Sequence, residues 1–270
     1  METTVPDTGP EAVDLLAGGA EVWLLAEEDV DLFAAALGGL GALTEDERRR
    51  HDRLMRPAHR RRFLGARLLA RSVLSRYAEV PPQGWRFTTG EYGRPEIDGP
   101  ALGLDFNITH TNGLIAAIVV RDLRCGVDAE RTPARPEAVA LAPKVLTPLE
   151  TEVLRLNSQE QRGHAFADAW VAKEAYTKAT GMGMCRGFDA FSVHLLRDGS
   201  FALVDEEIPA DERPLWQVEV LQVWDRFALG VAIRHSENDT GPVPVRLRSA
   251  VAELIPRPSE VGDTPGGRRS

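Results

Sequence analysis

Asp128 and Glu130 lie in the segment GVDAERT, and Glu174 lies further on in WVAKEAYTKATGMG. On a strand, residues two apart share a face, so Asp128 and Glu130 project together while Val127 and Ala129 turn the other way. Two such carboxylates form half of an oxygen cage of the kind Mg²⁺ takes. Alone, the pair reads more simply as a solvated strand edge. Glu174 and Lys178 stand at i,i+4 spacing on a helix, where an ion pair contributes only about 0.2–0.5 kcal/mol. Trp170 shares their face and by itself reads as a core anchor. The three acids become a site only if the helix brings Glu174 to the strand pair.

His110, in FNITHT, falls on the face of Phe106 and Ile108 by strand alternation. A buried, hydrogen-bonded histidine is therefore the default, unless the Asn112-Gly113 that follows ends the strand and opens it to a ligand. EYGRP (91–95) carries turn residues and an arginine, Arg94, suited to a phosphate. The basic run HRRRF (59–63) lacks interleaved aromatics and is a weak nucleic-acid signal. There is no P-loop lysine motif and no G-x-G-x-x-G turn.

The elements that must position these residues are legible in outline. A first strand spans Glu21–Ala26, and DLFAAALGGL follows as a short helix. Thr44 and Glu47 form a capping box for a charged helix, and a long helix with an apolar stripe follows Pro57. Strands are expected at 85–88, 106–111, 114–120 and 125–130, with Asn112-Gly113 as a tight hairpin turn. Thr147/Glu150 and Ser158/Gln161 are further capping boxes, the second opening a helix that ends near Gly181. Strands are expected again at 191–196, 216–224 and 227–233. The order implies an α+β fold of two similar halves, related by a pseudo-twofold, with antiparallel sheets and a ligand cleft between them. The divisions are a tail over 1–19, halves over 20–124 and 125–236, and an extension over 237–270, rich in Pro, Gly and Ser and partly disordered.

The 270 residues, 43% apolar and 27% charged, suit a globular enzyme with its own core. The net charge of −9 argues against general affinity for nucleic acid or anionic membrane, so an anionic ligand needs a local basic patch, such as that between Arg48 and Arg76. Two cysteines, Cys125 and Cys185, make no metal array and suit a reducing cytoplasm. The N-terminal residues are acidic where an export signal is basic, and the longest apolar run, 114–120, is too short to span a bilayer.

In this order, EYGRP, FNITHT, GVDAE and WVAKEAYTKATGMG resemble the signature of the Sfp-type 4′-phosphopantetheinyl transferases. The preceding helix, with R-x-x-L-x-x-R-L-L-x-R, is also similar, and the resemblance spans residues 20 to 235. It implies that Asp128, Glu130 and Glu174 hold one Mg²⁺ that bridges to the pyrophosphate of CoA. Lys178 and His110 would bind CoA phosphates and offset charge on the leaving side, and Glu174, directly or through water, would be the base. Arg94 and the loop from Thr89 to Gly93 would border the adenosine, and Arg50 would contact the 3′-phosphate. Asn107 and Thr109 would belong to the same CoA-binding set, and Lys173 to binding or leaving-group stabilisation. The implied reaction is attack by a carrier-protein serine on the β-phosphorus of CoA, releasing 3′,5′-ADP. The implied partners are acyl or peptidyl carrier domains of fatty acid, polyketide or nonribosomal peptide synthesis, served by a cytoplasmic monomer. The sequence departs from the family pattern at Thr109 and Thr111, where serines are usual, and at the small Ala129. Threonine keeps the hydroxyl, so hydrogen bonding is expected to survive. Two other readings use the same groups: another Mg²⁺-dependent CoA or nucleotide enzyme, and a CoA-binding module without catalysis.

Overall fold

The computed structural model describes residues 19–99, 102–182, 187–196, 201–237 and 241–255. Residues 1–18 of the tail, Cys185 and the end of the C-terminal extension lie outside the described residues. The elements run β1 (Ala20–Ala26), α1 (Val30–Ala36), α2 (Glu45–Arg53), α3 (Pro57–Tyr77), β2 (Phe87–Thr89), β3 (Pro95–Ile97), β4 (Leu104–Thr111), β5 (Leu114–Arg121) and β6 (Arg124–Arg131). They continue with α4 (Pro136–Val139), α5 (Ala142–Val145), α6 (Pro148–Leu156), α7 (Gln159–Thr180), β7 (Phe191–Leu195), β8 (Phe201–Asp205), β9 (Trp216–Val223), β10 (Phe227–Arg234), β11 (Val245–Ser249) and α8 (Ala250–Leu254).

One sheet has the order β11-β1-β5-β4 and the other β6-β10-β9-β8-β7, with β2 and β3 pairing separately. The same sequence of moves builds both sheets. A strand, a long helix and an antiparallel hairpin follow in turn, and the first strand pairs antiparallel with the hairpin's second strand. In the first half these are β1, α3 and β4–β5; in the second they are β6, α7 and β9–β10. This is the α+β fold of two similar halves with antiparallel sheets. Alternation explains the layering. On β5, Ile115, Ala117 and Val119 join the core under α3, while Leu114, Ala116, Ile118 and Val120 join a second core with Val127, Leu229 and Val231 of the other sheet. Two sheets thus lie face to face with α3 outside one and α7, over Tyr176, Phe191 and Val218, outside the other.

The local signals work as the sequence predicts at Thr44/Glu47 and Thr147/Glu150, both reciprocal capping boxes. Ser158 caps α7 through the Gln161 amide, but the Gln161 side chain returns to the serine hydroxyl at 3.2 Å rather than to its backbone N–H. Asn112-Gly113 makes the two-residue turn of the β4–β5 hairpin, with Gly113 at φ +100°. Residues 245–254, assigned to an extension, form β11 and α8 instead. β11 pairs parallel with β1, and Arg248 meets the buried Glu21 at 2.8 Å. VRLRS has no apolar run because it is an edge strand, mostly exposed, held by backbone pairing and that ion pair. Among the described residues no helix is long and apolar enough to cross a membrane.

Candidate active site

The two sheets meet where β4 passes β6, and side chains join them. Asp105, Asn107, Thr109 and Thr111, alternate residues on one face of β4, all turn to β6. Asp105 accepts from the Cys125 amide at 3.0 Å and Asn107 from the Val127 amide at 3.1 Å. Thr109 donates to Asp128 at 2.9 Å and Thr111 to Glu130 at 3.2 Å. Both threonine hydroxyls therefore keep the hydrogen bonding expected of them, and they orient the acid pair. On the face of β6 that carries Asp128 and Glu130, Gly126 and its neighbour Gly230 on β10 let α7 lie almost on the backbone. A Cβ at Gly126 would stand 2.1 Å from the Ala175 carbonyl oxygen, and one at Gly230 would stand 2.1 Å from that of Val171. This close approach carries Glu174 to the strand pair.

The result is a cavity of about 460 Å³ at the junction of the halves. Asp128 and Glu130 from β6, Glu174, Lys178 and Trp170 from α7, Thr109 and His110 from β4, and Arg50, Phe63 and Arg67 from α2 and α3 all line it. Lys178 directs its ammonium to Asp128 at 2.6 Å rather than to Glu174, so the i,i+4 pair open to the sequence is not its main contact. Burial, then the charges of Asp128 and Glu130, push the Glu174 carboxyl up to about 7 against the opposing effect of Lys178. Burial and Asp128 likewise raise Glu130. His110 does share the face of Phe106 and Ile108, but β4 ends one residue later and the ring opens to the cavity. Partial desolvation, with Arg62 and Lys178 nearby, holds its pKa below the ordinary imidazole value.

A second cavity of about 490 Å³ shares Arg50, Arg67 and Gly93 with the first and continues past Thr89, Phe87 and Arg86. Gly93, at φ +89°, makes the tight turn between β2 and β3 that leaves this passage open. Phe63 lies close to both cationic side chains, with the Arg50 guanidinium 5.7 Å and the Arg67 guanidinium 5.3 Å from the ring centroid. Arg67 and Phe63 are site residues that the sequence reading did not single out. Arg67 stands inside the quoted R-x-x-L-x-x-R-L-L-x-R, and its tether is Glu47, the capping residue of α2, 3.7 Å away. Glu47 also holds the buried Arg71 at 2.6 Å, so one carboxylate fixes α2, and Arg50 with it, against α3.

Three predicted ligand-binding residues are placed elsewhere. Arg94 is buried, pairs with Asp105 through both terminal nitrogens, and donates to the carbonyls of Phe106, Cys125 and Lys178. Its fork is occupied inside the junction and does not line the cavity. Asn107 is buried in the same seam. Lys173, 1% exposed, pairs with Glu150 at 2.8 Å and donates to the carbonyls of Phe188 and Phe191. It faces the core of the second half because it precedes Glu174 on the helix by one residue, about 100° of rotation.

Asp128, Glu130 and Glu174 offer oxygen alone, and each of the raised acids is raised partly by the charge of its neighbours. That donor set suits a hard divalent cation, which would relieve the repulsion. Among the described residues no three His, Cys, Asp or Glu side chains are gathered to ligand spacing. The acids share a wall, with a lysine on one of them.

Residues 124–232, which run from β6 through α7 to β10, match the sequence model of the 4′-phosphopantetheinyl transferase superfamily. The 4′-phosphopantetheinyl transferase HetI of Nostoc sp. is 33% identical over 83% of this chain and 91% of its own length. The chain belongs to the 4′-phosphopantetheinyl transferase superfamily. The 4′-phosphopantetheinyl transferase Sfp of Bacillus subtilis is 27% identical over 79% of the chain and 89% of its own. Among solved structures, a holo-(acyl-carrier-protein) synthase from Bacillus anthracis in complex with CoA (3′,5′-ADP) covers 42% of this chain and 96% of its own. The TM-score is 0.36 and the identity 20%. In this transferase the matched segment carries all three acids and Lys178, while Arg50, Phe63, Arg67 and His110 come from the half that precedes it.

Proposed function

We propose that this transferase moves the 4′-phosphopantetheine arm of CoA onto a serine of an apo acyl or peptidyl carrier protein, with Mg²⁺ as cofactor, and releases 3′,5′-ADP. The observation that carries the reading is the polarity of the joined cavities. Carboxylates, Lys178 and His110 gather at one end, and Arg50, Arg67 and an aromatic ring lead into the second cavity at the other. A diphosphate fits the first end and a phosphorylated nucleoside the second.

Asp128, Glu130 and Glu174 would hold the Mg²⁺, which when bound neutralises and orients the diphosphate. Glu174 accepts the serine proton. The serine oxygen forms its bond to the β-phosphorus as the bond from that phosphorus to the bridging oxygen breaks, and 3′,5′-ADP leaves with that oxygen. Lys178 and His110 offset the charge that builds on the leaving side. Arg50, joined by Arg67, holds the 3′-phosphate, and Thr89 and Gly93 border the adenosine. Because one chain supplies both walls of the cavity, we read the enzyme as a monomer, and as cytoplasmic, where CoA and carrier proteins meet.

Intact-protein mass spectrometry of an apo carrier protein incubated with the enzyme, CoA and Mg²⁺ tests this directly. The expected result is a gain of one phosphopantetheinyl group that EDTA prevents. No gain on carriers from fatty acid, polyketide and nonribosomal peptide systems would overturn the assignment.

A further inference from the structure

All three donors of Lys178 are directed at the seam between β4 and β6. Nζ lies 2.6 Å from Asp128 Oδ1, and it donates to the Val127 carbonyl at 3.1 Å and to the Thr109 hydroxyl at 3.2 Å. Thr109 in turn donates to the same Oδ1 at 2.9 Å. An ammonium has three N–H groups, and here each has an acceptor in the protein. The Asp128 side chain is 10% exposed and that of Lys178 26%. One oxygen of the Asp128 carboxylate is therefore covered by a protein cation, and the lysine a diphosphate would need is turned towards that carboxylate.

Neither obstacle can be removed alone at small cost. Withdrawing Lys178 first would strand a nearly buried carboxylate without a counter-charge beside two further acids. Bringing a divalent cation to the Asp128 carboxylate first would press it against the ammonium held there. Exchange in one event avoids both penalties, because the arriving diphosphate gives the ammonium a new anion as the metal takes its place.

We propose that Lys178 is a resident counter-cation, surrendered by Asp128 to the diphosphate of CoA as the divalent metal binds, so that metal and CoA enter with strong positive coupling and metal alone binds weakly. The proposal rests on the reading of Asp128, Glu130 and Glu174 as metal ligands. Coupling is reciprocal, so metal tightens CoA by the factor by which CoA tightens metal.

Mn²⁺ binding to the whole protein, followed by the electron paramagnetic resonance of the free ion, tests the exchange without any turnover. Titrations are run with and without CoA, corrected for Mn²⁺ held by CoA in solution. Without CoA, Lys178→Met and Lys178→Gln should both bind Mn²⁺ at least about fivefold tighter than wild type, the lower end of ordinary coupling between linked sites. Lys178→Arg, which keeps a cation on Asp128, should stay close to wild type. CoA should tighten Mn²⁺ strongly in wild type and much less in the two neutral variants. Neutral variants that bind no tighter than wild type, while Asp128→Asn loses the metal, would overturn the exchange and leave the ligand assignment standing. Mn²⁺ binding that survives Asp128→Asn, or is missing from wild type even with CoA, would overturn both.

Discussion

The Glu174 carboxyl is poised between its two forms near neutral pH because its surroundings disfavour charge, burial first and Asp128 second. The sign of the consequence follows from linkage. The folded protein holds this proton up to about 7, whereas the unfolded chain releases it near the ordinary value of 4.5. The contribution of Glu174 to metal-free stability is therefore greatest below the unfolded value and is lost as pH rises through that window. In EDTA, Glu174→Gln should raise the thermal midpoint at pH 8, by about 2–4 °C for each kcal/mol recovered, and flatten the decline between pH 5 and 8. The same variant should lose transfer, read by mass spectrometry; near-normal turnover would remove Glu174 from the chemistry. Arg94 makes the opposite kind of prediction. Arg94→Ala breaks a buried pair and should cost about 3–5 kcal/mol in denaturant unfolding, with KM for CoA little changed in the folded fraction. The three acids, Lys178 and His110 line one cavity, and the sequence points to them together because the order of their motifs resembles a family signature. Arg94, Asn107 and Lys173 are buried away from that cavity, which a motif does not reveal, because it tells which residues recur and not which way each side chain turns.

At the scale of elements, the site depends on how closely α7 approaches β6 and β10. Gly230→Ala sets a methyl against the Val171 carbonyl, where a Cβ would stand 2.1 Å from the oxygen. Overpacking of this kind costs about 1–3 kcal/mol, and here the helix must lift to relieve it. Because Glu174 rides on that helix, transfer should fall more than the folded fraction does, with kcat reduced and KM for CoA largely kept. A variant with lowered stability and unaltered kcat would mean the approach does not set the geometry. The helices themselves were readable from capping residues, which act within one turn. The close approach was not, since nothing local distinguishes a glycine that admits a helix from one that makes a turn. β11 was missed for a related reason. An edge strand needs only backbone partners, and its alternation of basic and apolar residues between prolines looks like a linker.

For the whole molecule, the notable feature is that the chain repeats one topology and then doubles back. β10 completes the second sheet, yet β11 joins the first, beside β1, so the halves are linked both through β5–β6 and through this return. Removing everything after residue 240 should bare the β1 edge and leave Glu21 without Arg248. The expected result is a lower unfolding midpoint and concentration-dependent aggregation by light scattering, with the acids of the cavity still in place. The parallel register from Ala20 opposite Val245 to Leu24 opposite Ser249 has a mechanical consequence as well. Tension applied at the start of β1 and the end of β11 pulls the two strands past one another, loading every hydrogen bond of the ladder together instead of opening them one by one. Held by those points in a single-molecule experiment, the protein should yield at one high force, whereas attachment at the two ends of the β9–β10 hairpin should unzip it at a low one.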